Sequence, residues 1–217
     1  MIIKTSYQNE VNVKCIRIKK PRWIFVVLFI LLMLAPFFIK SINYIDYFEG
    51  NLLPEFTGVI LEFIIILYII DHLQKKNERQ NKVKAEKRLR EMFIFFFNTL
   101  NKHVPESYRV GKFYGSEHEK NSKELMSLKG YIETHGLAER AIKDIRIHCK
   151  NDIDLFNSFV PVVATLEENH LKAWMRISYY MNAIITERET TQDSVLKIIE
   201  KIQLFDDESF RKKLVVD

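Results

Sequence analysis

The chain has 217 residues and carries 33 Lys and Arg against 28 Asp and Glu, a formal net charge of +5. Six Gly and five Pro leave long helices with few interior breakers, and strand-type alternation of apolar and polar residues is scarce, which excludes a sheet-based fold and predicts an all-α chain. Two cysteines, Cys15 and Cys149, exclude a disulfide-stapled secreted scaffold, and both fall on segments expected in a reducing compartment.

The positive charge sits in two blocks. Residues 1–22 hold six Lys and Arg against one Glu, and residues 75–91 hold eight against three, whereas residues 92–217 hold 18 basic and 19 acidic groups. A generally basic nucleic-acid-binding domain does not have this distribution. Each basic block instead flanks an apolar run, where anionic lipid headgroups favour Lys and Arg by about 1 kcal/mol each.

In chain order, the basic N-terminus (1–22) leads into Trp23–Ile39, seventeen residues without a charge, which predicts a membrane-spanning helix kinked by Pro36. Its length and the lack of a small-residue cleavage site argue against a signal peptide. After a short polar connection with Tyr44, Tyr47 and Phe48, Leu52–Ile70 forms a second span of nineteen residues, about 28 Å as a helix. The connection holds a single basic residue, so the hairpin over 23–71 is expected to have both termini on the cytoplasmic side of a bacterial inner membrane.

Residues 72–91 continue without Gly or Pro, and oppositely charged residues recur one turn apart: Asp71 with Lys75, Glu78 with Lys82, Glu86 with Arg90, Lys87 with Glu91. This predicts a solvated helical stalk near the lipid surface. Its apolar residues do not keep a heptad, so a coiled coil is not expected. The cations Lys75, Lys76, Arg79, Lys82, Lys84, Lys87, Arg88 and Arg90 are read as a topology determinant and a contact surface for lipid or nucleic-acid phosphate.

Residues 92–217 are expected to form a cytoplasmic bundle of four to six helices. Met92, Phe93, Phe96, Phe97 and Leu100 open its core at helical spacing, ahead of Pro105. Residues 105–121 read as a loop. Ser122 is the expected N-cap of a helix ending at His135 and Gly136, Leu137–His148 forms the next, and Asp152 opens another that Pro161 kinks or restarts. Leu166–Glu187 and a final helix capped by Asp193 complete the set.

No nucleophile-elbow, P-loop, dinucleotide-binding, zinc-protease or C-x-x-C motif occurs, so neither an enzyme nor a cofactor or small-molecule substrate is expected. The six histidines lie at no metal-ligand spacing, and His148 beside Cys149 diverge around a helix, so no metal site is expected either. The residue that calls for an account is Glu62, at the centre of the second span, where a carboxylate costs roughly 2.5–3.5 kcal/mol. Glu55, Gly58 and Glu62 share one helix face, small and polar amid bulky aliphatics, and Asp71 closes the span. Three readings stay open: Glu62 bonded within its own hairpin, a self-association face that lines an ion path between copies of the chain, or a contact with a partner membrane protein.

The run Gly58-Val59-Ile60-Leu61-Glu62, continuing to Ile69-Ile70-Asp71 and then a charged helix, resembles small bacterial two-span membrane proteins with G-x-x-x-E in the second span. Within that group it is similar to the two-transmembrane effectors encoded beside retrons, which are anti-phage systems. Phe63-Ile64 departs from the commoner apolar residue plus Gly at that point. The resemblance implies an effector held silent by a reverse transcriptase and its RNA–DNA product, then released to depolarise the membrane, with Glu62 and Asp71 as the matching positions. The rival expectation is a non-catalytic membrane anchor or sensor whose helical domain docks a soluble partner.

Overall fold

The computed structural model describes residues 53–215, with side chains from Gly58 onward. All regular structure among these residues is helical: α1 (Leu53–Asn101), α2 (His118–His135), α3 (Glu139–Ser158), α4 (Val160–Val163), α5 (Glu168–Thr186) and α6 (Thr191–Arg211). The basic N-terminus, the expected first span Trp23–Ile39 and the polar connection lie outside the described residues. Contacts divide the chain between Ile70 and Asp71 into two units. The described part of the first unit is the opening of α1, Leu53 to Ile70. Among the described residues, no helix is long and apolar enough to cross a membrane.

The second unit is a bundle, and α1 supplies its centre. Leu89, Phe93, Phe97 and Leu100 are buried at the helical spacing expected of them. Phe93 meets Phe205 of α6 edge-on at 5.0 Å between ring centroids and Trp174 of α5 at 5.5 Å. Trp174 stacks on Phe156 of α3 at 3.8 Å, and its indole N–H donates to the Phe156 carbonyl at 3.0 Å, so the largest core side chain leaves no buried donor unmet. α5 and α6 pack closely along one another.

The segment between α1 and α2 departs from a plain loop. Two 3₁₀ turns, Glu106–Tyr108 and Gly115–Glu117, bracket Val110 and Phe113, both buried in the core. The Asn101 side chain fixes this excursion by donating to the Val110 carbonyl at 2.8 Å and accepting the Val110 N–H at 3.1 Å. Phe113 takes a positive φ of 49°, a strained value for a bulky residue.

Helix starts differ from expectation where local bonds outweigh composition. α2 begins at His118, because the second 3₁₀ turn runs straight into it and Asn121 ties back to the Tyr114 carbonyl at 2.7 Å; Ser122 lies inside the helix. Asp152 does not open a helix but sits within α3, facing His148 one turn back at 3.1 Å. Pro161 falls in the first turn of α4, where its missing N–H costs no hydrogen bond, so the chain restarts there. Thr190, not Asp193, caps α6: its hydroxyl oxygen accepts the Asp193 N–H at 3.1 Å and the hydroxyl donates to the Asp193 carboxylate at 2.6 Å. The end of α2 is as expected, with Gly136 at φ 72°.

The stalk is not a freely solvated helix along its whole length. Arg79, Lys82, Glu86 and Arg90 follow one another at three- and four-residue steps and so share one face of α1. That face meets the bundle through charge pairs. Lys82 bonds Glu167 at 2.7 Å, and Arg90, its side chain only 5% exposed, bonds Glu86 at 2.5 Å and Asp206 of α6 at 2.5 Å. Arg90 therefore is not a phosphate-contacting surface cation; it is a core residue, and its guanidinium also lies over the Phe113 ring at 5.0 Å. Burial by itself would lower the Arg90 pKa, but Glu86 and Asp206 outweigh it and hold the group above its ordinary value. Breaking such a buried set by removing one member leaves uncompensated charge. Arg90→Ala is expected to cost about 3–5 kcal/mol, against less than about 1 kcal/mol for exposed Arg88→Ala, in urea unfolding of the detergent-solubilised protein. Equal effects would show that the Arg90 cluster does not hold α1 in the bundle.

Candidate functional site

Three places concentrate chemistry among the described residues. The first is the apolar run of α1. From Phe63 to Ile70 eight successive residues are exposed, at between 37% and 74%, and eight residues pass more than twice around a helix. The segment carries no charge, and Glu62 just before it is itself exposed. A Cβ built on Gly58 has nothing within 4 Å, so the notch that glycine leaves is open space. Glu55 lies on the same helix, its side chain outside the described set. Asp71 makes the expected pair with Lys75 at 3.1 Å. The face that carries Glu55, Gly58 and Glu62 is thus present as helical backbone.

The second is the stalk. Lys75, Lys76, Arg79, Lys84, Lys87 and Arg88 are exposed, Lys82 is half-buried against Glu167, and Arg90 is withdrawn into the core. Lys82 takes its carboxylate from Glu167 rather than from Glu78, because the bundle brings Glu167 to the face of α1 that Lys82 occupies.

The third is the C-terminal end of α6, which the sequence reading passed over. Asp206 accepts from the guanidinium of Arg90 on one side and lies 2.7 Å from the Nδ1 of His118 on the other. The His118 ring stacks on Phe210 at 4.3 Å and borders an open cleft of about 630 Å³ with Lys120, Lys123 and Glu124. A carboxylate fixing one imidazole nitrogen is the arrangement that orients a general base. Ser116 also borders the cleft, and no hydrogen bond joins it to His118 among the described residues.

One helix turn away, His170 is fully buried and its Nε2 lies 3.0 Å from the Ser209 hydroxyl oxygen. Both groups are sealed from solvent, which makes them a structural couple rather than a catalytic one. Cys149 is likewise sealed, and burial pushes its thiol up to about 12, so no reactive thiolate forms there. No group of three or more His, Cys, Asp or Glu side chains among the described residues is placed to hold a metal ion. The only sequence signal for this end of α6 was the dense run Asp206-Asp207-Glu208, whose partners Arg90, His118 and Asn169 are remote in sequence.

Compared with protein-family models, with characterised proteins and with solved structures, the chain matches none.

Burial holds the pKa of His170 down to about 4, although Glu208 and Glu167 pull it upward. A histidine in the unfolded chain titrates near about 6.5. The unfolded state therefore takes up a proton that the folded state refuses, so the stability is full above about pH 6.5 and falls as the pH drops toward about 4, by at most about 1.4 kcal/mol per unit. His148, also lowered by burial, adds in the same direction. The expected result is a melting temperature that falls over this window, and falls less steeply in His170→Gln. An identical pH dependence in the variant would contradict the assignment to His170.

Proposed function

We propose that the chain is a membrane-anchored effector, set in the bilayer through the apolar opening of α1 and controlled through its helical domain. The observation that carries this reading is the exposure of Phe63 to Ile70 around the whole helix. Burying apolar surface is worth roughly 25 cal/mol per Å², and an aqueous helix of this kind forgoes that gain at every residue. Hydrocarbon is the solvent in which a helix without a polar face loses nothing. The basic stalk that follows supports the same reading, since Lys and Arg beside an apolar segment mark the cytoplasmic boundary.

Within this reading the segment completes its span with the residues before Gly58, and the apolar run at Trp23–Ile39 supplies a second helix. Glu62 then lies in hydrocarbon, where it needs a partner. Copies of the chain satisfy one another through the face with Gly58, and a ring of carboxyl groups around a shared axis makes an ion path. The resemblance to retron effectors implies that a reverse transcriptase and its RNA–DNA product restrain the protein until infection releases it, and that growth stops through loss of membrane potential. The rival reading, an anchor whose domain docks a soluble partner, is favoured by one observation: the Phe210 ring stands 56% exposed at the rim of the His118 cleft.

Voltage-sensitive dye in cells expressing wild type or Glu62→Ala at matched levels separates the two. The effector reading expects depolarisation and arrested growth with wild type and relief in the variant, by about tenfold or more in surviving cells for a side chain that costs several kcal/mol to bury. Unchanged potential in both, with a stoichiometric soluble partner co-purifying, selects the anchor.

A further inference from the structure

The C-terminal tail returns to the stalk, and where they meet two lysines share one carboxylate. After Arg211, α6 ends in a Schellman turn: the Leu214 N–H donates to the Ser209 carbonyl at 3.0 Å and the Lys213 N–H to the Phe210 carbonyl at 3.0 Å. Leu214 is buried, which pins the turn to the bundle. Lys213 occupies the left-handed position of this motif at φ 52°, where glycine is the residue that fits without strain. Its carbonyl accepts from the Arg79 guanidinium at 3.4 Å, across 134 residues of sequence.

Around this contact, Lys82 and Lys212 share one carboxylate, Glu167, at 2.7 and 3.5 Å. The hydrogen bond from Lys82, with the charges of Lys82 and Lys212, holds the Glu167 carboxyl below its usual range. Neither Arg79 nor Lys213 has a carboxylate partner among the described residues, and both are exposed. Arg211 is already paired with Glu208. Two lysines therefore meet on one carboxylate, and Arg79 joins them through the backbone of Lys213, a strained lysine standing where an uncharged glycine is the easier choice. Like charges brought together in this way repel unless a further anion joins them.

We propose that Arg79, Lys82, Lys212 and Lys213 form a site for the phosphate of an anionic phospholipid headgroup. The site rests on the membrane reading. Arg79 and Lys82 follow the apolar segment by only nine and twelve residues on the same helix, which argues for lipid over any other phosphate source. The headgroup ties the tail to the stalk by bridging cations from both, so binding it stabilises the folded bundle.

The test uses the full-length protein in zwitterionic detergent micelles, with its melting temperature followed as phosphatidylglycerol, phosphatidylcholine, inorganic phosphate or a single-stranded oligonucleotide is added. Phosphatidylglycerol alone is expected to raise the melting temperature. Arg79→Gln and Lys213→Gly are each expected to weaken its apparent affinity about fivefold, the effect of one cation near an anionic surface. Lys213→Gly keeps the turn and leaves the melting temperature without lipid unchanged or higher, so a loss of lipid response in it is not a folding defect. Lys143→Gln, an exposed cation of α3, serves as the charge control and is expected to respond as wild type does.

Equal shifts with phosphatidylcholine, a shift reproduced by inorganic phosphate or by the oligonucleotide, or a loss in Lys143→Gln as large as in Lys213→Gly, each overturn the site. If alkaline carbonate releases the wild-type protein from membranes, the membrane reading itself falls. If carbonate leaves it bound while phosphatidylglycerol has no effect, only the headgroup site falls.

Discussion

A guanidinium that water scarcely reaches fixes how α1 enters the helical domain. Arg90 is held by Glu86 on its own helix and by Asp206 on α6, and Asp206 in turn lies against His118 at the start of α2. Three helices thus meet at one buried set of charges, with Phe113 from the intervening segment closing over it. Desolvating such a set is costly, and it is tolerated because each member has its counter-charge within hydrogen-bond reach. The aromatic core around Phe93 and Trp174 supplies bulk burial, but grease packs in many registers; a fixed triangle of charges accepts one.

That division explains what could be read from the chain alone. The all-α class, the buried stripe from Leu89 to Leu100, and the glycine stop at Gly136 follow from spacing and backbone preference, and the structure has them. The contact face of α1 between Arg79 and Arg90 was invisible because it is made of charge. Hydrophobic periodicity marks a helix face only when that face buries carbon, so a stripe of Arg, Lys, Glu and Arg passes for a solvated surface. The expected partners within the stalk were half right: Glu86 does reach Arg90, yet Lys82 pairs with Glu167, a residue 85 positions away.

Helix starts failed for a related reason. Ser122, Asp152 and Asp193 are good N-cap residue types, and each is used otherwise: inside a helix, against His148, and as the third residue of a cap that Thr190 makes. Short polar side chains serve caps and tertiary bonds equally well, and the choice depends on neighbours that only folding supplies. Val110 and Phe113 were hidden among the glycines and polar residues of a segment that read as loop, and they reach the core because Asn101 bonds both backbone groups of Val110.

The helical domain is balanced in charge and buries an apolar core, while the opening of α1 exposes its apolar residues. On the proposed reading a membrane reconciles the two, since apolar exposure that is unfavourable in water is favourable in lipid. The most direct measurement places a nitroxide at Ile66, with Cys15 replaced by serine, in protein reconstituted in lipid vesicles, and compares its relaxation by oxygen with that by a water-soluble nickel chelate. A membrane-embedded segment gives strong relaxation by oxygen and almost none by the chelate. Strong relaxation by the chelate would place Ile66 in water and contradict the account.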